Sequence, residues 1–287
     1  MSYDPGVPLL EHIASRMPSL RRSERKVADL VVENPALVVE STMASLADAA
    51  GVSEPTVMRF CTSLGFDGFQ QFKLTLAQTL ALGLPATLST ISRNDDVPEL
   101  ATKVFDHTIS SLDRTRRYLD FEAIERAIRA VLAATSMTVV GLGTSAMIAL
   151  DVEQKAVLFG VPCSAPSDSH QQFMAASTAA AGQVFLVISN TGSTASVVQV
   201  ARTARERGAT VVAITGDEAS ALAAESDVVL SVKTFEDTDR FTPTVSRIAA
   251  LVIVDVLATA VSLHRGDEHA QRLASMKEQL VAFRRLT

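Results

Sequence analysis

From Thr138 onward the sequence alternates short β-branched runs, nearly free of polar residues, with amphipathic stretches of helical length, and few folds accept that pattern. The runs are TVVGL (138–142), VPCS (161–164), VFLVIS (184–189), TVVAIT (210–215) and DVVLSV (227–232), with helices expected from Ser145, near His170 and from Thr194. A strand without polar alternation is covered on both faces, and strands that are each followed by a helix build a parallel sheet. The expectation is a doubly wound α/β domain of about five parallel strands. A long apolar helix, Thr244–Leu263, then packs on the sheet or on a partner subunit, and a polar amphipathic helix covers Asp267–Arg285. The longest apolar stretch, Ile248–Val261, is interrupted by Asp255 and is shorter than the ~20 residues a bilayer crossing needs, so it reads as a buried helix.

The first third has a different texture. Helical patterns at Pro8–Arg16, Ser23–Glu33, Met43–Ala50, Glu54–Leu64 and Gly68–Leu82 are separated by polar or Pro/Gly breaks, the second ending at the Asn34-Pro35 pair. Gly83–Pro98 combines Gly, two prolines and hydroxyl or Asx residues, and reads as a linker. Helices at Glu99–Tyr118 and Phe121–Ala134 follow. The expected organisation is an all-helical domain over 1–82, a linker over 83–98, and the α/β domain with flanking helices over 99–287.

Within the helical part, residues 43–64 read MASLADAAGVSEPTVMRFCTSL. Gly51 can adopt the positive φ of a tight turn, Ser53 can accept hydrogen bonds from the free N–H groups of the next helix, and Pro55 sits where its missing N–H costs little. Leu46, Ala47, Ala50, Val52, Val57 and Phe60 would form the small core that fixes two helices at an angle. This is the grammar of a helix-turn-helix, a DNA-reading element. It leaves Ser53, Glu54, Thr56, Arg59, Thr62 and Ser63 as exposed groups at the start and outer face of the second helix, with Arg59 the foremost candidate for a guanine or a phosphate.

Charge argues against DNA binding at first sight. The net charge is −6, and residues 1–82 carry seven basic and nine acidic side chains. Distribution outweighs the sum, because five of the seven basic residues fall between Arg16 and Lys26 and a dimer would present them twice. The expected affinity is modest and sensitive to salt.

In the α/β part, GLGTSA (Gly141–Ala146) and SNTGST (Ser189–Thr194) each follow a strand and open a helix. Small residues let the backbone approach an anion, and helix N–H groups and hydroxyls can bond it. GLGTSA also fits the G-x-G-x-x-A dinucleotide pattern, but the carboxylate expected ~20 residues on to hold a ribose is missing from Val161–Ala165. No P-loop sequence occurs.

The segment SLADAAGVSEPTVMRFCTSLGFDGFQQFKLTLAQTL resembles the N-terminal domain of the RpiR/MurR family of sugar-responsive bacterial regulators, whose landmarks match Arg59, Phe60, Leu64, Gly65, Phe66, Gly68, Phe69, Phe72 and Lys73. The aromatics among them are spaced for packing, and Lys73 joins the DNA-binding set. The two loops resemble those of a sugar isomerase (SIS) domain, which extends the resemblance over nearly the whole chain. It implies that Ser145, Ser189, Thr191, Ser193 and Thr194 hold the phosphate of a phosphosugar, with Gly143 and Gly192 permitting close approach and Thr144 and Asn190 completing the two loops. Asn190-Thr191 departs from the family, which often has His or Tyr followed by Ser.

The implied function is a transcription regulator whose DNA binding is controlled by a phosphorylated sugar. The alternative is a phosphosugar isomerase of the same fold, which would need a general base. Its candidates, Asp151, Glu153, Asp168 and His170, sit in no motif that demands catalysis, so the sensor reading is preferred. The expected partners are a double-stranded DNA operator, a phosphosugar and further copies of the chain as homodimer or homotetramer, with ligand changing how two α/β domains pair through Thr244–Leu263. No membrane partner is expected, and the absence of a secretory pattern places the chain in the cytoplasm. No cofactor is expected, and no metal, since His12, His107, His264 and His269 lack zinc-ligand spacing. Cys61 and Cys163 form no CxxC and read as ordinary buried thiols.

Overall fold

The computed structural model describes residues 9–81, 95–234 and 245–285, and residue contacts divide the chain into two compact units, Met1–Ser110 and Ser111–Thr287. In the first unit α1 (Leu9–Arg16), a 3-10 turn (Met17–Ser19), α2 (Arg22–Glu33), α3 (Pro35–Glu40), α4 (Met43–Ala50), α5 (Glu54–Ser63) and α6 (Phe69–Ala81) follow one another. Most of the linker expected at Gly83–Pro98 lies outside the described residues; α7 (Val97–Arg117) begins within its last two positions, and the division between the units falls inside this helix.

α3 was not anticipated. The Asn34-Pro35 pair does end α2, but it also starts a helix, because Asn34 Oδ1 accepts from the backbone N–H of Leu37 at 3.2 Å and Pro35 occupies the first turn. Val38 is thereby buried against a core that includes Leu9, Ile13, Val27, Val31, Leu46, Val57, Phe60, Phe72 and Leu76. Rings meet edge to face in its centre, with Phe60 and Phe66 each packed on Phe72 at centroid distances of 5.5 and 5.4 Å. The aromatic landmarks are therefore core residues, as their spacing implied.

The second unit is the α/β domain. After α8 (Phe121–Ala133) come β1 (Ser136–Val140), α9 (Thr144–Gln154), α10 (Ala156–Phe159), β2 (Cys163–Ser164), α11 (Ser169–Ser177) and β3 (Gln183–Ile188). Then follow α12 (Ala195–Glu206), β4 (Thr210–Thr215), α13 (Ala221–Ala224), β5 (Val228–Ser231), α14 (Val245–His264) and α15 (Asp267–Phe283). The five strands are parallel in the order β2-β1-β3-β4-β5, with Val140 opposite Val187 and Ile188 opposite Ile214. β1 begins two residues earlier than TVVGL suggested and stops at Val140, because Gly141 already belongs to the loop that follows.

α14 is 20 residues long, which exceeds the apolar stretch seen in the sequence and equals a membrane-spanning length. It is a core helix all the same: Ala249, Ala250, Ile253, Val254, Leu257, Ala258 and Val261 are buried in one cluster with strand residues such as Leu186, Ile188 and Ile214. Asp255, on its outer side, pairs with Lys155 of the segment between α9 and α10.

Candidate functional site

A sheet ordered β2-β1-β3-β4-β5 reverses its winding between β1 and β3, and open α/β sheets place their ligand crevice at such a point, beyond the carboxyl ends of the strands. The two hydroxyl-rich loops are the continuations of those two strands. They border one cavity of about 160 Å³, whose lining includes Thr144, Ser145, Ser189, Asn190, Thr191 and Thr194. Gly143, Gly192 and Ser193 flank it without lining it; Gly143 and Gly192 hold φ of 57° and 60° and so shape the turns.

The backbone around the second loop is firmly tied. Ser189 N–H donates to Ile214 C=O at 3.0 Å, Gly216 N–H to Asn190 C=O at 2.9 Å, and Leu222 N–H to Gly192 C=O at 2.9 Å. In the first loop the buried Gln172 donates from Nε2 to Gly141 C=O at 3.0 Å and to Pro166 C=O at 2.8 Å, pinning the start of the loop to α11. Sequence reasoning passed over Gln172, which carries no motif. The hydroxyls of Thr144, Ser145, Ser189 and Thr194 bond to no protein group among the described residues, although Ser189 is only 5% exposed. A hydroxyl of a buried residue that bonds no protein group and borders a cavity is available to a ligand. Thr191 differs, accepting at Oγ1 from the Ser193 hydroxyl at 3.1 Å.

The lining described contains no Asp, Glu, His or Lys, so no conventional general base faces the cavity there. The candidates for one are engaged elsewhere: Asp151 with Lys155, Glu153 Oε1 with the Ala165 N–H at 3.0 Å, and Asp168 as the cap of α11, accepting from His170 N–H at 2.9 Å. Ser246 and Arg247, from the first turn of α14, also line the cavity. The sequence offered no motif for either. Burial pushes the Cys61 thiol up to about 12, and burial followed by the charge of Glu153 does the same to Cys163, so both stay protonated and unreactive.

In the helical unit α4, the turn and α5 form the helix-turn-helix. Gly51 takes φ 61°, and Leu46, Ala47, Val57 and Phe60 are buried as expected. α1 grips the end of α5, where His12 Nε2 is 2.9 Å from Leu64 C=O and Arg16 Nη2 donates to Ser63 C=O at 3.2 Å. Ser53, Glu54, Arg59 and Thr62 are exposed. Thr56 is not, which corrects its placement on the outer face: one turn before Phe60, it shares the inward side of α5 and is 4% exposed. Its Oγ1 lies 3.1 Å from Ser53 Oγ and accepts from Arg59 Nη2 at 3.0 Å. Ser53 accordingly occupies the cap position without a side-chain cap bond, its carbonyl instead accepting from Thr56 N–H at 2.8 Å. Ser63 is half-buried, its hydroxyl donating to Phe60 C=O at 2.8 Å. Lys73 is half-buried on α6, its Nζ donating to Ser41 C=O at 2.8 Å in a groove shared with Thr42 and Met58.

A helix-turn-helix unit followed by a doubly wound domain with a hydroxyl-lined crevice defines a ligand-responsive transcription regulator, and comparison with known proteins agrees. Residues 7–83 match the helix-turn-helix domain of the rpiR family and residues 132–260 match the SIS domain. The chain is 42% identical over 276 residues to the HTH-type transcriptional regulator HexR of Pseudomonas aeruginosa, covering 96% of each. It is 39% identical over 272 residues to HexR of Escherichia coli strain K12, covering 95% of this chain and 94% of that one. Among solved structures, the Vibrio vulnificus NanR protein complexed with ManNAc-6P superposes with a TM-score of 0.59 at 25% identity, over 96% of this chain and 98% of that one. The chain belongs to the RpiR family of transcription regulators, with a DNA-binding helix-turn-helix domain and a SIS domain. Its function is regulatory, not enzymatic, in keeping with relatives matched over nearly their whole length.

Proposed function

We propose that this regulator binds a phosphorylated sugar in the cavity between the β1–α9 and β3–α12 loops, and that the bound ligand controls its grip on operator DNA. The observation that carries this reading is the convergence of four unbonded hydroxyls, one of them on the buried residue Ser189, on a crevice at the point where the sheet reverses. Ser145, Ser189 and Thr194 would bond the phosphate directly, together with N–H groups in the first turn of α12; at the start of α9 the N–H groups of Ser145 and Ala146 already donate to Leu142 and Gly143 C=O. Gly143, Gly192, Thr191 and Ser193 would shape the loops, and Thr144 and Asn190 would complete the walls. The NanR structure was obtained with a sugar phosphate, which supports the same ligand class here.

Residues 1–82 would act as the DNA-binding part, 83–98 as the linker and 99–287 as the sensing part. α9 and α14 both start at the cavity, pack side by side, and leave Met147, Leu150, Val252 and Val256 exposed. A second copy meeting this face would couple ligand to DNA spacing, since both helices would respond to the ligand at one end. Such a homo-oligomer would work in the cytoplasm, where bacterial DNA lies.

The ligand half is tested by thermal shift of the purified protein with phosphorylated and unphosphorylated sugars. A phosphosugar should raise the melting temperature, and Ser189→Ala should weaken its binding by about 10–100-fold, the loss expected for a hydrogen bond to a charged group. Stabilisation by unphosphorylated sugars alone would remove the reading. The DNA half is tested at Arg59: Arg59→Ala should weaken operator binding by about 5–150-fold, corresponding to ~1–3 kcal/mol. If binding weakens equally on all sequences and the salt dependence drops by about one ion, Arg59 holds a phosphate and does not read a base.

A further inference from the structure

The chain is acidic overall, yet the described lining of its cavity contains no carboxylate and one cation, Arg247. We infer that Arg247 is the charge-recognising residue of this site, bonding the anionic group of the ligand alongside the neutral hydroxyls of Ser145 and Ser189. The inference rests on reading the cavity as a phosphate site and adds what selects charge within it.

Three observations converge. Arg247 is half-buried and pairs with no carboxylate among the described residues, whereas Arg202 and Arg205 of the same domain, each more exposed at the helix surface, are paired with Glu225 and Asp227. It also stands in the first turn of α14, a 20-residue helix, where the dipole's positive end disfavours a cation. An anion in the cavity would relieve that repulsion and satisfy the guanidinium together. Finally, Ser189, which lines the same cavity, is a residue more than nine-tenths buried whose hydroxyl bonds no protein group, so the cavity already holds a polar group open to a ligand. A guanidinium can present two parallel N–H groups to one phosphate or carboxylate, which hydroxyls cannot do. Neutral donors would fix the position of the ligand; Arg247 would reject an uncharged one.

The test uses the full chain and inorganic phosphate, the fragment common to all candidate ligands, at constant ionic strength. Melting temperature is followed against phosphate concentration for the wild type, R247M, R247K and S189A. R247M should need about tenfold or more phosphate for the same stabilisation, with its melting temperature in the absence of phosphate no lower than that of the wild type, since the unpaired cation at the start of α14 is gone. R247K, which keeps the charge but loses the fork, should recover part of the response. If R247M titrates like the wild type while S189A loses its response, the phosphate site stands and Arg247 has no part in it. If the wild type itself is not stabilised by phosphate, the reading of the cavity fails and this inference falls with it.

Discussion

Phe72→Ala will lower the stability of the helical unit by about 3–5 kcal/mol, the cost of emptying a fully buried aromatic site. The ring is 0% exposed and stands between Phe60 and Phe66, so its removal takes an edge-to-face partner from each. Phe60 belongs to α5, and the loss therefore loosens the helix that presents Arg59. A domain of this size has only ~5–15 kcal/mol in reserve, so DNA binding should fail at a temperature where the α/β unit remains folded. Denaturant unfolding of the full chain, followed separately for the two units, measures the change. Phe72→Leu, which keeps most of the volume, should cost less than about 1.5 kcal/mol. A loss below 1 kcal/mol for Phe72→Ala would show that the ring is not where the core places it.

The second large effect is expected at Gly192. Its φ is 60°, and a Cβ built there would lie 2.2 Å from Ser220 Oγ, 2.4 Å from Ser220 Cβ and 2.9 Å from Thr215 Oγ1. Ser220 cannot simply turn aside, since its hydroxyl caps α13 by accepting from Ala223 N–H at 3.3 Å. Gly192→Ala thus combines a left-handed backbone penalty of ~1–2 kcal/mol with overpacking of ~1–3 kcal/mol, about 2–5 kcal/mol together. The loop should shift and the ligand response should go with it. Removing Ser220 as well, in Gly192→Ala with Ser220→Gly, should relieve the contact with Ser220 but leave the backbone penalty and the 2.9 Å contact with Thr215 Oγ1, and it gives up the cap of α13. A single variant as stable as the wild type in a melting experiment would mean that the loop does not press on Ser220.

Local signals carried most of the architecture. The β-branched runs marked all five strands, and Met43–Ala50 matches α4 residue for residue, because Gly51 and the hydroxyl-rich flanks punctuate the chain on both sides. The two ligand loops were equally legible, since small and hydroxyl residues between a strand and a helix have few other uses. What escaped depended on tertiary placement. Arg247 lies about a hundred residues beyond the first loop, at the start of a helix that reads only as apolar, and nothing local announces that its first turn reaches the β1/β3 crevice. Gln172 was invisible for the same reason. Thr56 was misplaced because a small hydroxyl residue at the edge of a helical face can point either way, and its place one turn before Phe60 puts it on the inward side. Asn34-Pro35 was half understood: the pair that stops one helix is also the chemistry that starts another.

The most direct measurement is the affinity of the full chain for a DNA fragment it selects itself, taken by fluorescence anisotropy with and without each member of a phosphosugar panel, for the wild type and Ser189→Ala. One phosphosugar should change the wild-type affinity by about 5–150-fold, the usual range of coupling between sites, while its unphosphorylated counterpart changes nothing. Ser189→Ala should bind the DNA as tightly as the wild type and ignore that ligand. A response that survives Ser189→Ala undiminished, or that needs no phosphate, would contradict control of DNA binding through this cavity.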